Sequence, residues 1–90
     1  MDDFGQTPLH YAVRNGNKAA LGVLLKAGAN PNAMDTEYGN TPLHLAAALK
    51  ADEMILNLVT VGGNPKLARK NGENALQIYE KYHSKPFPAE

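Results

Sequence analysis

Thr7-Pro8-Leu9-His10-Tyr11-Ala12 and Thr41-Pro42-Leu43-His44-Leu45-Ala46 are two versions of one phrase. A weaker third version, Asn74-Ala75-Leu76-Gln77-Ile78-Tyr79, follows the second at nearly the same spacing. An unrelated phrase keeps the step: Leu25-Lys26-Ala27-Gly28-Ala29-Asn30-Pro31 returns as Val59-Thr60-Val61-Gly62-Gly63-Asn64-Pro65. Two independent motifs in one register, with a period of about 33 residues, mark an internal repeat. That is the signature of stacked supersecondary units in which each unit buries its apolar face only against its neighbours.

Each phrase carries its own structural instruction. Thr7 and Thr41 can cap a helix through the hydroxyl, and Pro8 and Pro42 fall at the first helical position, where the missing N–H is no loss. Ala12 and Val13 continue from Leu9 at helical spacing until Gly16-Asn17 breaks the run. A second helix is expected through Ala20, Leu21, Val23, Leu24 and Leu25, ending at Gly28. Its copy runs through Met54, Ile55, Leu58 and Val59 to Gly62, glycine being the usual left-handed residue past a helix end. Asn30-Pro31-Asn32 and Asp35 to Gly39 have turn chemistry and predict a projecting hairpin loop between units.

In its period and its T-P-L-H-x-A phrase the chain resembles the ankyrin-repeat family over residues 2 to about 82. The resemblance implies one all-α solenoid domain over residues 1–90. It would hold two full helix-turn-helix repeats near 2–34 and 35–68, a C-terminal capping half-repeat near 69–85, and a tail at 86–90. The hairpin loops would be the family's fingers. Three departures stand out. The finger Asp35-Thr36-Glu37-Tyr38-Gly39 is one residue longer than Asp2-Asp3-Phe4-Gly5 or Arg69-Lys70-Asn71-Gly72, so it should bulge with Tyr38 at its tip. Lys50 stands where the first repeat has Gly16, at a cost of about 1 kcal/mol if it must turn left-handed. Pro86 and Pro88 forbid a second helix in the third unit, whose Gln77, Tyr79, Glu80, Lys81 and Lys85 are expected on a polar, bulky outer face.

Composition narrows the function classes. Ninety residues make one small domain, and nine basic against nine acidic side chains give no electrostatic reason to expect nucleic acid or a membrane surface. Residues 66–90 are slightly basic. With no cysteine there are no disulfides and no thiolate ligands, and no apolar run approaches the roughly 18 residues that span a bilayer. Met1-Asp2-Asp3-Phe4 lacks the basic start and apolar stretch of a secretory signal, so a cytoplasmic location is expected.

Catalytic and metal-binding readings find little support. His10 and His44 occupy equivalent places in successive units, about 8 to 10 Å apart by helix packing, whereas zinc holds nitrogen at about 2 Å. The resemblance gives both a structural role, bonding neighbouring turns together with the preceding threonine. His83 is expected in solvent near a helix end. Asp2-Asp3 and Asp52-Glu53 suit helix starts or solvent better than a shared catalytic proton. No phosphate loop, nucleophile elbow or dinucleotide fingerprint is present, so the expectation is a non-enzyme with no metal and no cofactor.

What remains is binding to another protein. The resemblance implies a concave surface built from the fingers and the exposed side of each first helix. Carried over position by position, its contact residues are Asp3, Phe4, Gln6, Arg14, Asn15 and Met34, then Thr36, Glu37, Tyr38, Asn40, Ala48 and Leu49, then Lys70, Asn71, Glu73, Lys81 and Tyr82. Phe4, Met34, Tyr38, Leu49 and Tyr82 would form an aromatic and methionine-rich patch of the kind that supplies interface anchors. The other reading has Phe4 and Tyr38 folding back on neighbouring fingers and Tyr82 packing under the cap. An adaptor, inhibitor or targeting role fits such a surface, as does a bacterial immunity or effector protein that masks an enzyme. A silent spacer in a longer array is the alternative. Ala19-Ala20-Leu21-Gly22-Val23-Leu24-Leu25 is apolar nearly all round, and predicts a bare N-terminal edge that further repeats, a second copy or a partner would cover.

Overall fold

A computed structural model describes residues 5–88; the expectations for Asp2, Asp3 and Phe4 fall outside them. Five helices follow in order: α1 (Pro8–Arg14), α2 (Lys18–Lys26), α3 (Pro42–Leu49), α4 (Asp52–Thr60) and α5 (Ala75–His83). No strand occurs among the described residues. α1 packs on α2 and α3 packs on α4. α1, α3 and α5 stack side by side in one layer, and α2 meets α4 in a second. This is the all-α stack of helix pairs, closed by a single helix, that the repeat predicts.

The repeated phrase is a double clamp. Thr7, Thr41 and Asn74 are the N-caps of α1, α3 and α5, and the residue three places on folds back to each of them. Thr41 N–H donates to His44 Nδ1 at 3.0 Å, and Thr7 N–H to His10 Nδ1 at the same distance. An accepting Nδ1 puts the ring proton on Nε2. That nitrogen reaches the next unit, His10 to the Asn40 carbonyl at 2.8 Å and His44 to the Glu73 carbonyl at 3.1 Å. Both rings are buried with both nitrogens used, as the structural reading of these histidines requires. Gln77 repeats only the local half of the clamp, accepting from Asn74 N–H at 2.9 Å.

The left-handed turns fall where the sequence places them. Gly28 and Gly62 end α2 and α4 at φ of +89° and +101°. Between the helices of each pair, Gly16 has φ +67° and Lys50 has φ +55°, so lysine does carry the conformation that glycine adopts freely.

The core runs through Leu9, Val13 and Leu21, then Leu43, Ala46, Met54, Ile55 and Leu58, then Ala75, Ile78, Tyr79 and Phe87. Two expectations about the C-terminal end need correction. Tyr79 lies in the core rather than on the outer face, with its hydroxyl donating to Asp52 Oδ1 at 2.8 Å. His83 is half-buried, not solvated: Nε2 meets the Ala47 carbonyl at 2.9 Å and the ring stands edge-on to Tyr79, with centroids 4.9 Å apart. Phe87 comes in from the tail, 2% exposed and edge-on to the same tyrosine at 5.8 Å. A two-proline tail supplies, with one aromatic ring, apolar cover that a second helix would otherwise give.

Candidate functional site

The fingers are built by side-chain capping. Asp35 accepts at Oδ1 from the N–H groups of Tyr38, Gly39 and Asn40 at 2.8, 2.9 and 3.2 Å, while its own N–H donates to the Asn40 carbonyl at 2.9 Å. Three donors on one oxygen wrap the loop around the carboxylate. Burial pushes the Asp35 pKa up, but those three N–H groups together outweigh it, so the net shift is downward and the group is ionised. The extra residue of this finger carries Tyr38 outward, 57% exposed. The neighbouring Glu37 carboxylate raises its phenol pKa.

The third finger uses the opposite charge at the same place. Arg69 stands where the second finger has Asp35, and its guanidinium donates to Glu73 Oε1 at 2.5 Å, Asn71 Oδ1 at 3.2 Å and Asn40 Oδ1 at 3.3 Å. Bonds from Arg69 and Asn71 hold the Glu73 carboxyl down at about 2. The two fingers are joined by Lys70 N–H donating to the Tyr38 carbonyl at 2.8 Å, and by the Lys70 ammonium on the Thr36 carbonyl.

Of the expected contact residues, the structure gathers two groups. Gln6, Arg14, Glu37, Tyr38 and Asn40 line one cleft of about 300 Å³, together with Asp35 and Leu45. Asn71, Glu73, Lys81 and Tyr82 form the other, through Asn71 Nδ2 to Glu73 at 3.0 Å, Lys81 to Glu73 at 3.4 Å, and the Lys81 ammonium 5.7 Å from the Tyr82 ring centroid. Thr36 and Lys70 bridge the fingers, and Asn15, Met34, Ala48 and Leu49 are exposed members of neither group. Gln6 and Asn40 depart from the expected surface exposure. Both are buried and tied into the fold, Gln6 Oε1 accepting from Arg14 and Asn40 Oδ1 from Arg69. Asp35 and Leu45 complete the cleft but were not among the sequence candidates. The signal for Asp35 was present, an aspartate opening the turn that ends at Gly39.

Register aligns the exposed side chains. Arg14, Ala48 and Lys81 hold one position of the three first helices, and Asn15, Leu49 and Tyr82 the next. With α1, α3 and α5 stacked side by side, each set makes a row along the array. Leu49 and Tyr82 are each 56% exposed.

A family profile described as ankyrin repeats in three copies matches residues 1–71. The chain belongs to the ankyrin-repeat family. It is similar to the B-cell lymphoma 3 protein homolog of Mus musculus, 35% identical over 81 residues that make up 87% of this chain and 18% of that protein. It is 50% identical to the nuclear factor NF-kappa-B p105 subunit of Gallus gallus over 58 residues, 64% of this chain and 6% of that one. A relative whose name denotes an enzyme, the glycerophosphocholine phosphodiesterase gde1 of Schizosaccharomyces pombe, is 36% identical over 77 residues, 86% of this chain and 7% of that protein. The ankyrin chain thus spans less than a fifth of these relatives. Ankyrin repeats are in general protein-interaction modules rather than catalytic domains. No helix among the described residues is long and apolar enough to cross a membrane.

Proposed function

We propose that this chain binds a partner protein through its fingers and the exposed side of α1, α3 and α5. One observation carries the reading. Tyr38, Leu49, Tyr82 and Met34 are each 44% or more exposed on the finger and first-helix side, while Val23, Leu56 and Val61 are the exposed large apolar residues of the second-helix side. Large apolar and aromatic side chains grouped on one exposed face are the usual interface anchors. Adaptor, inhibitor and targeting roles all use such a face.

Affinity capture from native lysate identifies the partner, and titration of that partner against variants tests the face. Tyr38→Ala and Leu49→Ala should each weaken binding by about 1 to 3 kcal/mol while leaving the unfolding midpoint nearly unchanged. Unchanged affinity in both variants would leave the spacer reading, in which this face is silent.

A second surface is favoured by the contrast between successive repeats. Thr7, Pro8, Leu9, Leu24, Ala29, Asn30 and Ala33 line a hollow of about 240 Å³. Of their counterparts one repeat on, Thr41, Pro42, Leu43, Leu58 and Gly63 are buried. We propose that this face takes a second molecule of the chain. Sedimentation equilibrium over a range of concentrations tests this: self-association should be reversed by Val23→Glu, and a strict monomer excludes the second copy.

A further inference from the structure

We propose that the cleft between the Gln6 and Arg14 edge and the second finger receives an arginine side chain of the bound partner, a refinement that rests on the interaction reading above. Asp35 is 4% exposed, and its Oδ1 is saturated by the three loop N–H groups. Its Oδ2 is buried and has no hydrogen-bond partner among the described residues. The loop bonds that saturate one oxygen also keep the carboxyl ionised, so negative charge rests on an oxygen without a donor. A buried acceptor in that condition favours whatever group supplies the missing N–H.

The rest of the cleft specifies which donor. Glu37 adds a second carboxylate to the same wall, and the exposed Tyr38 ring offers a flat face beside it. Arg14 is the cation among the lining residues, and it is committed elsewhere, donating to Gln6 Oε1 and lying 5.9 Å from the Tyr11 ring centroid. The cations behind the finger are held toward the third repeat, Lys70 on the Thr36 carbonyl and Arg69 on Glu73, Asn71 and Asn40. A guanidinium can donate to two carboxylates along its edge while its face covers an aromatic ring, and its methylene stem suits the half-buried Leu45 floor. A lysine ammonium is a point donor with no face.

One groove further on the molecule holds a guanidinium with side-chain oxygens alone. Arg69 lies between the second and third fingers on a carboxylate and two asparagine oxygens. The Asp35 cleft has two carboxylates, and the guanidinium that lines it, Arg14, is bonded to Gln6. Oδ2 is covered in the free chain, so the guest meets Glu37 and Tyr38 first, and contact with Asp35 requires the Tyr38 N–H bond to Oδ1 and the Lys70 bonds to Tyr38 and Thr36 to give.

The test is an amide-resolved NMR titration of the whole chain with N-acetyl-arginine methylamide, the citrulline analogue serving as neutral isostere. Arginine should shift the amides of Tyr38, Gly39 and Asn40 at millimolar concentration, and citrulline should bind at least about tenfold more weakly, the scale of one charge-assisted hydrogen bond. Glu37→Gln and Tyr38→Ala, both outside the core, should each weaken the arginine response about three- to tenfold. Asp35→Asn keeps an oxygen for the loop and places an N–H₂ where Oδ2 was, so it should abolish the response if the finger still forms. Equal responses to arginine and citrulline, shifts confined to other amides, or a Glu37→Gln variant that binds like the parent would overturn the proposal. Selection of random peptides on the immobilised chain separates the two readings. Binders lost on Leu49→Ala but lacking arginine would sink the arginine pocket and leave the interaction face standing. Arginine-specific shifts with no selectable peptide would do the reverse.

Discussion

The two ends of this short array solve one problem differently. At the N-terminal end Pro8 is exposed and Leu24 half-buried, while Pro42 and Leu58, the same positions one repeat later, are buried because the first repeat lies over them. Within α2 only Leu21 is buried, against Met54, Ile55 and Leu58 in α4. Among the described residues of the third unit no second helix follows α5, yet Tyr79 and Phe87 are each only 2% exposed, because the segment after α5 folds the Phe87 ring onto it. Equivalent positions in a repeat therefore do not have equivalent energetics. What a leucine contributes depends on whether a neighbour covers it, and one aromatic ring in a proline-bracketed tail can do at an end what a helix does in the interior.

The sharpest way to break this comparison is to remove the C-terminal seal. Phe87→Ala should destabilise the fold by about 3 to 5 kcal/mol, near the whole stability of a domain this small, so that the variant is largely unfolded by circular dichroism at room temperature. A loss well under 1 kcal/mol would mean that the ring merely rests on Tyr79. Next comes the leucine pair. Leu58→Ala should cost about 2 to 5 kcal/mol in urea unfolding, as a cavity in the core does, whereas Leu24→Ala at the uncovered end should cost less than half of that. Equal losses would show that the N-terminal face is sealed after all.

Acid should loosen the inter-repeat clamp in two steps. Burial lowers the His44 pKa below its ordinary 6.5, so the fold favours the neutral ring. The unfolded chain then binds the proton more tightly, and this contribution is complete above pH 6.5 and lost as pH falls below it. Glu73, held at about 2 against an ordinary 4.5, contributes above pH 4.5 and loses that contribution as pH falls from 4.5 toward 2. Urea midpoints should accordingly drop as pH falls below 6.5 and again as it falls below 4.5. His44→Gln, which copies the Gln77 arrangement of the third unit, should flatten the first drop and leave the second. The smallest expected effect is a gain. Lys50→Gly relieves a left-handed lysine and should raise stability by about 0.5 to 1 kcal/mol in the same assay. No gain would mean that glycine's freedom in the unfolded chain offsets the relief.

By itself the sequence determined the repeat, the helix starts and the left-handed turns, since these follow from interactions among residues a few places apart. A threonine or asparagine cap, a proline at the first helical position and a glycine past the helix end act locally, and their regular recurrence along the chain fixed the stacking. It also made the long second finger and the Lys50 turn visible, because both are departures from a pattern the chain itself sets. Only the tertiary structure decided which of two chemically similar residues is inside. Tyr79 and Tyr82 lie on one helix, yet Tyr79 is core and Tyr82 is 56% exposed, because the tail and Asp52 cover one side of α5 alone. Gln6 and Asn40 have the polarity of surface residues and are buried. The cleft around Asp35 joins residues from α1, the second finger and α3, and no spacing in the sequence announces it. Contacts of that kind are set by how whole repeats pack, through the loop bonds and the His10 and His44 bridges, and their energy belongs to neighbours a full repeat away rather than to any local phrase.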